Sequence, residues 1–143
     1  MTTSEVLIAL YQNTKTALQS IADIRPKADN QEFLSLLSAQ EERYKNINEK
    51  IEDTANKHKI ELKDNNWFEK ARLWTSIQMS TLTNNNLRKL AEMMLIGTVM
   101  GTLELYKNRA DYHTPSEDVL SLLTELEQVE EDNFKELKKY LKG

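Results

Sequence analysis

The sequence predicts an all-α protein: four long helices in an antiparallel bundle of two hairpins, plus one shorter crossover helix. Three observations predict it. Apolar residues recur at alternating three- and four-residue spacing through most of the chain. Four segments open with a Thr, Asp or Asn followed three residues later by Glu, the signature of a capped helix start. Two prolines, both near expected helix ends, and no Gly-rich or Ser-rich linker leave the 143 residues as a single bundle domain, 1–143.

Thr2 with Glu5 opens the first helix, whose apolar stripe is Leu7, Leu10, Ala17, Ile21 and Ile24. Arg25-Pro26 ends it, because proline pushes the residue before it out of helical geometry. Asp29 with Glu32 starts the second, with Phe33, Leu37, Gln40, Tyr44, Ile47, Ile51 and Ala55 along one face, a helix of about 28 residues. The middle of that face turns polar at Gln40, Glu41 and Tyr44. After the loop HKIELKDNN, Asn66 with Glu69 precedes a shorter helix carrying Trp67, Phe68, Ala71, Trp74, Ile77 and Leu82. Trp67 and Trp74, seven apart, either clamp the bundle or offer a stacking platform. Thr83 to Asn86 breaks this helix, since Asn competes for backbone hydrogen bonds.

Leu87 to Tyr106 is apolar nearly all round, which predicts a buried central helix. Fourteen apolar-dominated residues from Met93 to Tyr106, with Glu104 among them, fall short of the roughly 20 that span a bilayer. Gly97 and Gly101, four apart, each cost the helix roughly 1 kcal/mol relative to Ala. They mark either a close helix contact, within the chain or with a second copy, or room for a ligand or metal beside Glu104. Thr114-Pro115-Ser116-Glu117 starts the last helix, with Val119, Leu123, Leu126, Glu130, Asn133, Leu137 and Tyr140 inward and Lys138, Lys139 and Lys142 at its negative end. Its core face also turns polar, at Glu130 and Asn133.

Composition narrows the function classes. No cysteine removes thiol chemistry and fits a cytoplasmic setting. The N-terminal stretch lacks a basic region before an apolar block, so secretion is not expected. A net charge of -4 without a Lys/Arg patch argues against nucleic-acid or anionic-membrane partners. No nucleophile elbow, phosphate loop or dinucleotide fingerprint occurs. His58 and His113 fall at helix ends, on one end of the bundle, where solvated residues are the ordinary case.

The second helix of each hairpin reads alike at its middle: Gln40-Glu41-Glu42-Arg43-Tyr44 and Val129-Glu130-Glu131-Asp132-Asn133. With two such hairpins, the chain resembles the ferritin-like, rubrerythrin-type bundle superfamily, which carries a Glu-x-x-His on each of these helices and a lone Glu on each first helix. That resemblance puts Glu41 and Glu130 in the places of the motif carboxylates, Tyr44 and Asn133 in those of the histidines, and Glu104 as a third acid. The di-iron ligand set is incomplete: neither imidazole is present, and the first helix has only Glu5 and Asp23, far from its middle.

Three readings of the mid-bundle residues remain. Gln40, Tyr44 and Asn133 form a polar core layer that satisfies the acids, with Asn48, Thr14, Lys15 or Arg43 contributing; Glu41 and Glu130 turn outward; or they line a pocket for a small polar ligand. The leading functional expectation is a non-enzymatic bundle acting by self-association, most simply as a homodimer, or by binding another protein, with no cofactor. The Gly97/Gly101 face and the tryptophan-bearing helix are its contact surfaces. Alternatives are a divergent iron- or other divalent-metal-binding protein using Glu41, Glu104 and Glu130, or a small-molecule carrier.

Overall fold

A computed structural model describes residues 1–63, 66–80 and 86–142. Among them every regular element is helical. Helix α1 spans Thr3–Ile24, α2 Gln31–His58, α3 Asn66–Ser80, α4 Leu87–Asp111 and α5 Glu117–Lys138, with 3₁₀ turns at Arg25–Lys27 and Lys139–Leu141.

The local reasons are those of the sequence, with two shifts at helix starts. Thr2 and Glu5 close a reciprocal capping box: the Glu5 N–H donates to Thr2 Oγ1 at 3.1 Å and the Thr2 N–H to Glu5 Oε1 at 3.4 Å. Pro26 sits in the turn that ends α1. The cap of α2 is Asn30, not Asp29; its side chain accepts the Phe33 N–H at 2.9 Å, which leaves Glu32 in the first turn as a charge favourable to the dipole. The cap of α5 is Ser116, not Thr114. Asp118 closes that first turn instead, accepting the Val119 N–H at 2.9 Å and the Ser116 hydroxyl. The C-terminus of α2 turns at Lys59, in left-handed geometry at φ 58°. The Ile60 N–H then returns to the Ala55 carbonyl at 2.8 Å.

The stripe of α2 is buried at all seven positions, Phe33 through Ala55. On α5 the same holds from Val119 to Leu137, with Tyr140 half-buried. Helix α4 contacts both α5 and α1, α2 contacts α1 and α5, and α3 packs on α1. The long helices thus pack against one another around Leu7, Leu10, Phe33, Leu37, Ile51, Leu123 and Leu126, all fully buried. Burying each such side chain contributes roughly 1.5–3 kcal/mol. No helix among the described residues is long and apolar enough to cross a membrane.

Helix α4 corrects the expectation of a fully buried central helix. Ala91, Met94, Thr98, Gly101, Leu105 and Asn108, spaced alternately three and four, face inward. Ile96, Val99, Leu103, Tyr106 and Ala110, with the same spacing, face solvent. Leu103 is 53% exposed and Tyr106 55%. The inner stripe is the smaller and more polar of the two. The expected break over Thr83 to Asn85, Leu82, and the side chains of Asn66, Trp67 and Phe68 lie outside the described residues.

Candidate functional site

Heptad spacing on α2 and α5 brings Tyr44 and Glu130 face to face in the middle of the bundle. The Tyr44 hydroxyl donates to Glu130 Oε1 at 3.1 Å, and it accepts from Asn133 Nδ2 at 2.9 Å. Asn133 Oδ1 accepts from Arg43 Nη1 at 2.8 Å, and that same nitrogen lies 2.8 Å from the Glu136 carboxylate. The hydrogen bonds therefore run one way, from a half-exposed guanidinium through Asn133 and Tyr44 to Glu130. Every member finds a partner, which is what makes a polar interior tolerable.

Electrostatics fix the protonation states along this chain. Glu130 is only 2% exposed, and burial pushes its carboxyl up to about 8, opposed by the Tyr44 hydrogen bond. Burial, reinforced by the adjacent Glu130, holds the Tyr44 hydroxyl well above the ordinary tyrosine range. At neutral pH the pair is a phenol and a carboxylic acid, both uncharged, so the expense of an isolated buried anion is avoided. Chemically, Glu130 holds one proton up to about pH 8, can donate as well as accept while it does, and only accepts once that proton has left.

Glu130 and Tyr44 also form the floor of a cavity between α1, α3 and α4. It holds about 70 Å³ in which the centre of a water-sized molecule fits. Its walls are Asn13, Thr16, Ala17, Ser20 and Ile24 of α1, Ala71, Trp74 and Thr75 of α3, and Met93, Met94, Gly97, Thr98, Met100 and Gly101 of α4. Space of that size admits several waters or a small organic group.

The other sequence candidates lie elsewhere. Glu41 turns away from the core onto Arg25 at 3.0 Å and Lys45 at 3.4 Å, and the Arg25 hydrogen bond holds its carboxyl below the usual range. Glu104 pairs with Lys107 at 3.5 Å and borders a separate groove with Glu5, Gln12 and Asn108. Glu41 and Glu104 do not converge with Glu130 on one point. Among the described residues no group of three His, Asp or Glu is placed to hold a metal ion.

Gln40 is buried, and its amide nitrogen has no partner among the described residues. Asn48 pairs along its own helix with Glu52, and Thr14 donates to the Leu10 carbonyl. Lys15 lies over the Tyr11 ring, so of the two cations expected at the layer Arg43 is the one that contacts it. Gly101 meets α1: a Cβ there would lie 3.2 Å from Asn13 Oδ1, and Asn13 Nδ2 donates to the Gly101 carbonyl at 3.0 Å. At Gly97 a Cβ would meet nothing within 4 Å. The two glycines therefore share the cavity wall, while the exposed apolar stripe of α4 lies to their side. His58 bonds Asp118 at 2.8 Å, tying the end of α2 to the start of α5, and His113 is exposed. Asp118 is held far below the usual carboxylate range, chiefly by the Ser116 hydroxyl and also by His58 and the Val119 N–H.

Sequence reasoning missed Asn13, Thr16, Thr75 and the methionines as a set of wall residues. A faint signal existed at Asn13 and Thr14, the polar gap in the α1 stripe between Leu10 and Ala17. Comparison with known proteins adds no relative: no family model, no curated protein and no solved structure matches this chain.

Proposed function

We propose that this chain is a non-enzymatic helical bundle that works by pairing with a second copy of itself through the outward stripe of α4. The single observation that carries the reading is the orientation of α4. It turns Ala91, Met94, Thr98, Gly101, Leu105 and Asn108 inward and leaves Ile96, Val99, Leu103 and Tyr106 in solvent. A helix that exposes its greasier stripe at heptad spacing is built to be covered by another helix. Leu73 and Ile77 of α3 are further exposed apolar side chains.

The charges beside the stripe are balanced at each end: Glu92 pairs with Lys89 at 3.9 Å and Lys107 with Glu104 at 3.5 Å, all on α4. A second copy can therefore approach without setting a single sign of charge against its like.

The bundle reading is that of two antiparallel hairpins with α3 as the crossover, of ferritin-like architecture and in a cytoplasmic setting. Contacts between α2 and α5 support it: Glu32–Tyr140, Tyr44–Glu130, Lys50–Glu125 and His58–Asp118 run in opposite order along the two helices. Thr3–Tyr112 and Asn13–Gly101 do the same for α1 and α4. These pairings leave α2 and α4 pointing the same way, so the segment between them has to travel the length of the bundle. At about 1.5 Å per residue the 15 residues of α3 cover much of it.

Light scattering on a sizing column tests the assembly. The chain is expected at twice its monomer mass at micromolar concentration. Leu103→Lys, an exposed position, is expected at the monomer mass with unchanged helical circular dichroism. A wild type that stays monomeric throughout that range, or a Leu103→Lys variant that stays dimeric, overturns the reading.

A further inference from the structure

The polar atoms around the cavity share a property that limits what can enter it. Thr16, Thr75 and Thr98 each donate their hydroxyl proton to their own helix, to the carbonyls of Gln12, Ala71 and Met94, at 2.8, 3.0 and 2.8 Å. Tyr44 has committed its proton to Glu130, and Asn13 Nδ2 donates to the Gly101 carbonyl. What the threonine and tyrosine oxygens have left to offer is lone pairs; the Ser20 hydroxyl serves in either sense, and the second Asn13 N–H and the Trp74 indole N–H are the neutral donors of the wall. Among the described residues the walls carry no Lys, Arg or His, and Glu130 is their one carboxyl.

An anion therefore meets the Glu130 carboxyl and no cation, and a wholly apolar guest leaves the Glu130 and hydroxyl oxygens unmatched. A guest with several N–H donors and one positive charge matches the carboxyl and the hydroxyl oxygens. The remaining surface suits its body: Met93, Met94, Met100, Ala71, Ile24 and Trp74 are apolar, polarizable and tolerant of a nearby cation. The volume, about half of the ~150 Å³ that accommodates a benzene ring in an engineered core, limits that body to about four carbons.

We propose that this cavity is a binding site for a small amphipathic amine, its ammonium group seated on the Glu130 carboxylate and the hydroxyl oxygens of Thr98 and Thr75, its alkyl body against the methionines and Trp74. Nothing in the self-association of α4 requires it. The proton balance is explicit. Where Glu130 is protonated, an incoming ammonium ion forms the ion pair as the carboxyl proton leaves to solvent. Above Glu130's titration no proton moves. Tyr44, from α2, is the titratable group touching Glu130, and Arg43 stands one side chain behind it, on Asn133. From α1, α3 and α4 the facing residues are uncharged.

Calorimetric titration with n-butylamine tests the proposal at about pH 8.5, where an alkylammonium ion, of pKa near 10.4, keeps its charge. Two probes of matched length, 1-butanol and butyrate, are the comparison. Butylamine is expected to bind at least about tenfold more tightly than either, a difference of about 1.4 kcal/mol. Glu130→Gln, checked for retained helical circular dichroism, is expected to bring butylamine to within about twofold of butanol. Binding of butanol or butyrate as tight as that of butylamine, or no heat from butylamine at millimolar concentration, overturns it. The probe series on the unaltered chain decides the matter even if Glu130→Gln does not fold.

Discussion

Replacing Glu130 with Gln isolates the energetic consequence of burying an acid. The amide has nearly the same shape, keeps an oxygen to accept the Tyr44 proton, and does not ionise. In the folded protein Glu130 holds its proton up to about pH 8, while in the unfolded chain it loses it near 4.5. Between those values the folded state carries one proton more than the unfolded state. Stability from this group is therefore fully present below pH 4.5, falls by about 1.4 kcal/mol per pH unit as pH rises, and levels off above about 8. Over the whole window the loss is about 5 kcal/mol, comparable with the entire stability of many domains. Glu41 and Asp118, held low by Arg25 and by Ser116, act with the opposite sign, losing their contribution as pH falls below the ordinary carboxylate range. Both are common to the two proteins and cancel in the difference. Urea unfolding of the wild type and Glu130→Gln at pH values from 5 to 8 is the assay. The stability of the variant relative to wild type is expected to rise by about 1 kcal/mol per pH unit. Parallel stability curves across that range refute the argument that Glu130 is buried as a neutral acid.

Tyr44→Phe removes the hydroxyl that joins Glu130 to Asn133, leaves two buried polar groups without that partner, and is expected to cost about 1–3 kcal/mol in urea unfolding at neutral pH. Because the Tyr44 hydrogen bond lowers the Glu130 titration, the same variant is expected to shift it upward, read from the carboxyl carbon resonance. Gly97→Ala, facing open space, is expected to stabilise by about 0.5–1 kcal/mol. Gly101→Ala is expected to gain less or to destabilise, because its Cβ crowds Asn13, and equal gains in thermal unfolding would show that Asn13 is free to move aside.

Where apolar residues alternate with charged ones, the sequence settles which way a helix faces. Phe33, Leu37, Ile47 and Ile51 are separated by mostly polar and charged residues at the exposed positions, so only one rotation of α2 buries them. The polar layer is legible for the same reason, since Tyr44, Glu130 and Asn133 continue those stripes. Glu41 is one residue from Gln40 and so about 100° round the helix, which is enough to carry it out to Arg25. Helix α4 has no such contrast. With Met93 to Leu103 nearly all apolar, hydrophobicity alone selects no rotation, and the choice falls to the fit and hydrogen bond of Gly101 against Asn13. The cavity is harder still to read, because a void depends on which side chains fail to meet, and periodicity does not record that.

Met100 has two neighbours that never see one another. It forms part of the cavity wall and is also 48% exposed beside the outward stripe of α4. A guest that fixes its rotamer from within alters the surface that a second helix would grip, and a second helix that pins it alters the mouth through which a guest enters. Thermodynamic reciprocity then obliges the two events to change each other's equilibrium by the same factor. If both proposed interactions hold, dimer strength measured with and without butylamine is expected to differ.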